Sequence, residues 1–153
     1  MKPKLPDSLY SVDQVLAVAE ELHQYGRQVA GRGSKVDTKE LSPAAADLLA
    51  TLPAGQRDES PAIEELREGL EELAATAAVI TLVLAASPSA QLKQELTSWL
   101  RTNVRPRLLV NFHVDPEIAG GIVIRSTNHI FDNSFRSALI ANQAQFTKVL
   151  GRV

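Results

Sequence analysis

Residues 108–125 read LLVNFHVDPEIAGGIVIR, and this stretch decides the fold. Its two ends are rich in β-branched and other apolar residues and predict strands over residues 108–114 and 121–126. Between them, Asp115-Pro116 is typical of a turn. The adjacent glycines Gly120-Gly121 stand at the start of the second strand, where they indicate a bulge or a close backbone approach. We therefore expect a pair of strands joined by a short irregular connection.

The residues around this pair extend it into a larger sheet. Upstream, residues 79–84 (VITLVL) are β-branched and apolar on both faces, as in a central strand. Ser87-Pro88 then begins a helix. Downstream, Thr127-Asn128 fits a two-residue hairpin loop that leads into a short strand over residues 129–131. Four strands and one connecting helix are therefore predicted.

A last helix is predicted from about residue 133 to residue 150, capped by Asp132. Its candidate apolar contacts are Phe135, Leu139, Ile140, Phe146 and Leu150. With this helix, residues 76–153 form a β-α-β-β-β-α domain, and the fold class of the chain is α+β.

The first 75 residues predict a separate helical domain. Ser11 and Gln14 have the spacing of a capping box, in which each side chain satisfies a free amide at a helix start. Apolar residues then recur at helical spacing, at Val12, Val15, Leu16, Ala19, Leu22 and Val29. Ser42-Pro43 and Ser60-Pro61 begin two further helices, because proline is favoured at the first helical position. Residues 1–75 therefore hold three helices.

The third helix carries a narrow apolar stripe on an acidic surface. Residues 61–73 have a net charge of −4, whereas residues 74–153 have a net charge of +4. A stripe of this kind rests on the rest of the chain or pairs with a partner helix. We hypothesise that either the stripe or the basic second half receives a partner helix by helix-in-groove packing. The candidate partner-binding residues are Ile63, Leu66, Leu70 and Leu73.

Composition excludes several classes of protein. The chain has 153 residues, 44% of them apolar and 22% charged, which is typical of a globular protein of one or two domains. The absence of cysteine excludes disulfides, thiol nucleophiles and cysteine-ligated metals. The predominantly apolar run of residues 73–86, which ends at Ser87-Pro88, is shorter than the ~20 residues of a bilayer span, and no signal peptide is recognisable. We expect a soluble chain.

Two groups of residues could carry other chemistry. His113, Asp115, His129 and Asp132 could form a two-histidine, two-carboxylate metal site, although turn and cap roles compete for both aspartates. A nucleic-acid patch could use Arg101, Arg105, Arg107, Arg125 and Arg136. Nucleic-acid domains usually add exposed aromatic residues, whereas Phe112, Phe131 and Phe135 are assigned here to core elements. A free-standing α+β module that binds nucleic acid or protein is therefore the alternative reading.

The order and spacing of residues 77–150 resemble the δ subunit of F-type ATP synthases, the oligomycin-sensitivity-conferring protein family. The resemblance lies in an alternating strand, a polar residue, an aliphatic residue, the glycine pair, a second strand ending in a basic residue, and an Asp-x-Ser before the last helix. The matching residues are Val114, Asp115, Ile118, Gly120, Gly121, Ile122, Ile124, Arg125, Asp132 and Ser134. The family's N-terminal domain is a larger helical bundle, so this chain has an abridged one.

The resemblance implies a non-catalytic connector in the peripheral stalk. In that family the helical bundle binds the α subunits of the catalytic head, and the C-terminal domain meets the b-subunit stalk. It implies no cofactor, metal, nucleic acid or small-molecule ligand, and no insertion into the membrane. It implies a location at the cytoplasmic face of the plasma membrane, as a peripheral part of the ATP synthase complex.

Overall fold

A computed structural model describes residues 5–32 and 38–143. Within them, helices α1 to α5 span Val12–Arg32, Pro43–Ala50, Ser60–Thr76, Ala90–Asn103 and Phe135–Ala141. Strands β1 to β4 span Val79–Leu84, Leu109–Val114, Gly121–Arg125 and Ile130–Ser134, and short 3-10 turns lie at Thr38–Glu40 and Pro116–Ile118. This order confirms the predicted α+β class, with three helices ahead of a β-α-β-β-β-α succession. None of the described helices combines the length and apolar character that a bilayer span requires.

The described residues group into two compact units. The first unit combines residues up to 78 with residues 94–109, and the second combines residues 79–93 with residues 110 onward. Most of α4 and the loop after it therefore pack with the N-terminal helices, although they follow β1 in sequence. A division into domains at residues 75 and 76 stays a prediction.

The sheet of the described residues has the strand order β2-β1-β3-β4. Strand β2 runs parallel to β1. Leu109 N–H donates to Ala78 O at 2.9 Å, and Asp115 N–H donates to Leu84 O at 2.8 Å, so both strands advance in the same direction. A parallel pair needs a crossover connection, and the chain between them contains α4.

Strand β3 is antiparallel to both of its neighbours, β1 and β4. Its central residue, Val123, lies opposite Val83 of β1, and the two are buried together. Ser126 N–H donates to His129 O at 2.8 Å, which closes the hairpin between β3 and β4 around Thr127-Asn128. The predicted two-residue hairpin loop is therefore confirmed.

Local capping fixes the starts of α1 and α2 in the first unit. The predicted capping box of α1 is present: Ser11 Oγ accepts from Gln14 N–H at 3.3 Å, and Gln14 Oε1 accepts from Ser11 N–H at 3.2 Å. Ser42 caps α2 by accepting from Ala45 N–H at 3.3 Å. The Ser42 hydroxyl also donates to Glu21 Oε2 of α1 at 2.7 Å, which ties the start of α2 to α1.

The core of the first unit lies largely between α1 and α3, which make the most extensive helix contact in the described chain. The apolar face of α1 is buried through Val15 and Leu22, and that of α3 through Leu66 and Leu70. Leu16, which the spacing placed on the same face of α1, is 44% exposed instead, because it lies at the margin of a face that spans about one third of the helix.

The last helix differs from its prediction. It starts at Phe135 rather than near residue 133, because Asn133 and Ser134 complete β4 through pairing with Ile122 and Gly121. Residues 144–150, with the predicted apolar contacts at 146 and 150, lie outside the described residues.

We expect Leu66→Ala to lower the free energy of unfolding by about 2–5 kcal/mol, because it deletes a fully buried side chain and leaves a cavity. Urea denaturation followed by far-UV circular dichroism measures the change. The matched control is Leu16→Ala, at an exposed position on α1, where we expect a change within about 0.5 kcal/mol. Equal losses in the two variants would contradict the assignment of the core to the α1–α3 contact.

Candidate functional site

The glycine pair lies at the start of β3 in the second unit. Ala119, Gly120 and Gly121 follow one another with φ angles of 61°, 130° and 77°, all in the region that favours glycine. This run brings the chain from the 3-10 turn into β3. Because an L side chain is strained at such φ values, the two glycines are required by the backbone path itself.

The glycines also allow another part of the chain to approach closely. A Cβ atom on Gly120 would lie 2.5 Å from Cδ2 of Phe135, and one on Gly121 would lie 2.3 Å from the carbonyl oxygen of Asn133. Phe135 N–H donates to Gly120 O at 3.0 Å. The junction between β4 and α5 therefore lies directly against the glycine pair, as the sequence predicted for a close backbone approach.

Asp115 and Ile118 hold the other side of this path. The Asp115 carboxylate accepts from Glu117 N–H at 3.0 Å and caps the 3-10 turn that follows it. Ile118, in that turn, is buried with Val83 and Val123. The predicted turn role of Asp115 is thus confirmed, and Ile118 joins the turn to the core of the sheet.

Asp132 and Ser134 belong to a hydrogen-bonded cluster at the junction between β4 and α5. Asp132 accepts from Ser134 N–H at 2.9 Å and from the Ser137 hydroxyl at 2.5 Å, and these hydrogen bonds lower the pKa of the carboxyl. Ser134 itself is the N-cap of α5, because its hydroxyl accepts from Ser137 N–H at 3.2 Å. The prediction that Asp132 is the N-cap of this helix is therefore wrong. Ser134 is the N-cap, and Asp132 stabilises it through hydrogen bonds from Ser134 and Ser137.

Of the remaining signature residues, Val114 ends β2, and Ile122, Ile124 and Arg125 lie on β3. Ile124 pairs with Leu82 of β1 and Phe131 of β4, and Arg125 pairs with Thr81 and Ile130. Arg125 is exposed at the end of the strand, and its positive charge contributes to the lowered pKa of Asp132.

Several large apolar side chains on β4 and α5 are left exposed. They are between 52% and 71% exposed and belong to Ile130, Phe131, Phe135, Leu139 and Ile140, a set called here the β4–α5 surface. A shallow hollow of about 290 Å³ on α5 is lined by Phe135, Ala138, Leu139 and Asn142. The assignment of Phe131 and Phe135 to the core is therefore wrong.

A sequence signal for this exposure exists on β4. Ile130 and Phe131 are adjacent in a strand, and adjacent side chains point to opposite faces of a sheet. A strand at the sheet edge with one covered face cannot bury both. The position of β4 at the sheet edge could not be predicted from the sequence, because a hairpin alone does not tell which of its two strands is outermost.

The predicted partner-binding stripe lies in the core of the first unit. Ile63, Leu66 and Leu70 are 0% exposed and Leu73 is 5% exposed. A Cβ on Gly26 of α1 would lie 3.3 Å from Cγ2 of Ile63, which shows how closely the two helices pack. In this conformation a partner would contact these side chains only after the helical unit had opened. Partner binding at the stripe stays a prediction, and the exposed apolar surface lies elsewhere.

The two alternative chemistries find no assembled site in the described residues. No three histidine, aspartate or glutamate side chains of residues 5–32 and 38–143 come together in a group that could hold a metal ion. Of the five arginines proposed for a nucleic-acid patch, Arg101 is buried, and Arg136 forms an ion pair in which its Nη1 lies 3.4 Å from Glu117 Oε2. Arg105 and Arg107 belong to the first unit, and Arg125 belongs to the second.

We expect Gly121→Ala to lower the free energy of unfolding by at least about 2 kcal/mol, because the new methyl group meets backbone atoms and φ is positive. Urea denaturation and hydrogen exchange of the β3 and β4 amides measure the effect. Gly55→Ala is the matched control, since a Cβ there meets nothing within 4 Å. A Gly121→Ala protein as stable as the Gly55→Ala protein would contradict the close approach.

Asp132→Asn should reduce stability at neutral pH but not in acid. The pKa of Asp132 is lower in the folded than in the unfolded chain, so its stabilisation is complete above about pH 4 and is lost as the pH falls through the folded value. Urea midpoints of the variant and the parent, measured over a pH series, should therefore converge in acid. Glu117→Gln, at an exposed carboxylate, is the control. A difference that stays constant with pH would contradict the prediction.

The family model for the ATP synthase delta (OSCP) subunit matches residues 26–146. The matched region runs from the second half of α1 to beyond α5, so it includes helices of the first unit as well as the glycine pair, Asp132 and Ser134. The match spans well over half of the 153 residues. The chain therefore belongs to the ATP synthase delta (OSCP) subunit family, whose members are structural subunits of the peripheral stalk.

Proposed function

We propose that this protein is a non-catalytic connector that links the catalytic head of an F-type ATP synthase to the b-subunit stalk and resists the torque of the rotor. Membership of the family supports a place in the peripheral stalk. A connector of this kind works mechanically, since it must present two binding surfaces on one folded chain. The location proposed for it is the cytoplasmic face of the membrane that carries the complex.

The β4–α5 surface is the observation that carries the proposal. Large exposed apolar patches on a folded protein mark sites of interaction with other proteins or membranes. Phe135 and Leu139 lie four residues apart on α5 and line one hollow, which is a suitable receptor for the apolar face of an amphipathic helix. We assign this surface to the b-subunit stalk.

The junction that carries this surface is well anchored. Phe135 lies over Gly120, Ser134 caps α5, and Asp132 holds both Ser134 and Ser137. A connector that bears load needs its contact residues fixed to the core rather than placed on a free loop. The signature residues of the family thus act here through the position they give to β4 and α5.

The first unit is assigned to the α subunits of the head. Over the full sequence its residues carry fifteen acidic and eleven basic side chains, a net charge of −4, whereas those of the second unit carry three acidic and five basic side chains, a net charge of +2. In the described part of the first unit, the large exposed apolar side chains are Leu16, Trp99 and Val104, on α1, α4 and the loop after α4. Charge complementarity affects the rate and specificity of association more than its strength. The first unit is therefore suited to a charge-guided contact.

We expect Leu139→Asp and Ile140→Asp, each introduced into the full chain, to weaken binding to the soluble part of the b subunit by at least roughly tenfold. Both side chains are more than half exposed, so the charge costs binding rather than folding. Titration followed by calorimetry measures the affinity, and circular dichroism checks the fold. Because the β4–α5 surface consists of apolar side chains, the affinity of the parent protein should change little between low and moderate salt.

The matched control is Leu16→Asp, which places the same charge on an exposed leucine of the first unit. It should leave the affinity for the b subunit unchanged. Binding that survives in both α5 variants would contradict the assignment of the β4–α5 surface. Loss of binding in all three variants would contradict its location on the second unit.

A further inference from the structure

Arg101 is a buried charged side chain that the proposed function does not use. It lies in the last turns of α4 and is 7% exposed. Its guanidinium donates from Nη1 to Pro6 O at 3.0 Å and from Nη2 to Leu9 O at 2.5 Å. The third donor, Nε, binds Leu108 O at 3.1 Å. One side chain thus joins the start of the chain to a segment more than ninety residues away.

The hydrogen-bond partners of this guanidinium are backbone carbonyls, and one carboxylate forms an ion pair with it at a longer distance. The nearest acid, Asp7, places Oδ1 at 3.6 Å from Nη1, and the Asp7 side chain is 52% exposed. Burial lowers the pKa of Arg101, but an arginine keeps its charge throughout the working pH range. Removing the acceptors of a buried charge is strongly unfavourable. The carbonyls of Pro6 and Leu9 are therefore two of the groups that stabilise the buried charge of Arg101, together with Leu108 O and Asp7.

The segment that supplies these carbonyls, residues 5–10 (LPDSLY), is called here the strap. It has no helix or strand of its own, and its internal backbone bond is the turn from Leu9 N–H to Pro6 O at 3.0 Å. Leu5 and Leu9 are nevertheless buried, at 8% and 2% exposure. A segment without regular structure keeps a fixed path only if contacts with other parts of the chain hold it.

We infer that Arg101 is a clasp that holds the strap closed on the first unit, and that the strap and the clasp open together. If the strap leaves, the guanidinium loses two of its three carbonyl acceptors and its ion pair with Asp7. If the guanidinium is removed, Pro6 O loses its partner outside the strap, and Leu9 O loses its charged donor. The strap therefore closes the helical unit. It belongs to the first compact unit, whereas the β4–α5 surface belongs to the second.

Hydrogen exchange of the full chain tests this inference. In Arg101→Met, we expect amide exchange within residues 5–10 to accelerate by roughly 10- to 100-fold, the loss expected for hydrogen bonds to a charged group. Arg101→Lys keeps the charge but lacks the three-donor fork, and should give an intermediate acceleration. Chymotryptic cleavage after Leu9 and Tyr10 should rise in the same order. The sheet amides should exchange as in the parent.

Two matched variants separate the clasp from simpler explanations. Asp7→Asn removes the ion pair and leaves the carbonyl contacts, so it should leave exchange within the strap nearly unchanged. Arg107→Met removes an exposed arginine from the loop after α4 and should also have no effect. Strap exchange in Arg101→Met equal to that in Arg107→Met would overturn the inference, as would an acceleration in Asp7→Asn as large as in Arg101→Met. Should Arg101→Met not fold, Arg101→Lys against Asp7→Asn decides the question.

Discussion

The close approach of the β4–α5 junction to Gly120-Gly121 is the constraint on which the second unit depends. At Gly121 there is room for a hydrogen atom but not for a carbon, since the nearest backbone oxygen would stand 2.3 Å from a Cβ. This contact fixes where β4 ends, and Ser134 can cap α5 only because β4 ends there. The direction of α5 and the exposure of its apolar side chains follow from the same junction. The glycine pair therefore determines the position of the surface assigned to the stalk.

Much of this fold could be predicted from residues whose signal is local. The capping box of Ser11 and Gln14, the strand at 79–84 and the loop at Thr127-Asn128 all depend on neighbours within a few positions, and all are present. The start of the last helix was missed because Asp132 and Ser134 are both good N-cap residues. The choice between them depends on pairing of Ser134 with Gly121, a contact from a distant part of the sequence.

The candidate site shows the limit of periodicity more clearly. The stripe of Ile63, Leu66, Leu70 and Leu73 has the pattern of a docking face, and it is covered by α1 of the same chain. Phe131 and Phe135 have the composition of core residues, and they are exposed. A pattern tells which face of an element is apolar, but not which other element covers it. That information lies in contacts between residues far apart in sequence, as between α1 and α3.

Net charge likewise depends on contacts between distant residues, because it has to be counted over compact units rather than over halves of the sequence. The second half of the chain has a net charge of +4, which suggests a basic domain. Three of its arginines, at 101, 105 and 107, belong instead to the first unit, where Arg101 is buried against carbonyls. The second unit keeps a net charge of only +2 and carries the large apolar side chains of β4 and α5. An apolar surface binds by burial of area, which salt does not screen, and this suits the stalk contact that we propose for it. The three arginines that make the second half of the sequence basic therefore belong to the helical unit. The surface assigned to the stalk contains none of them.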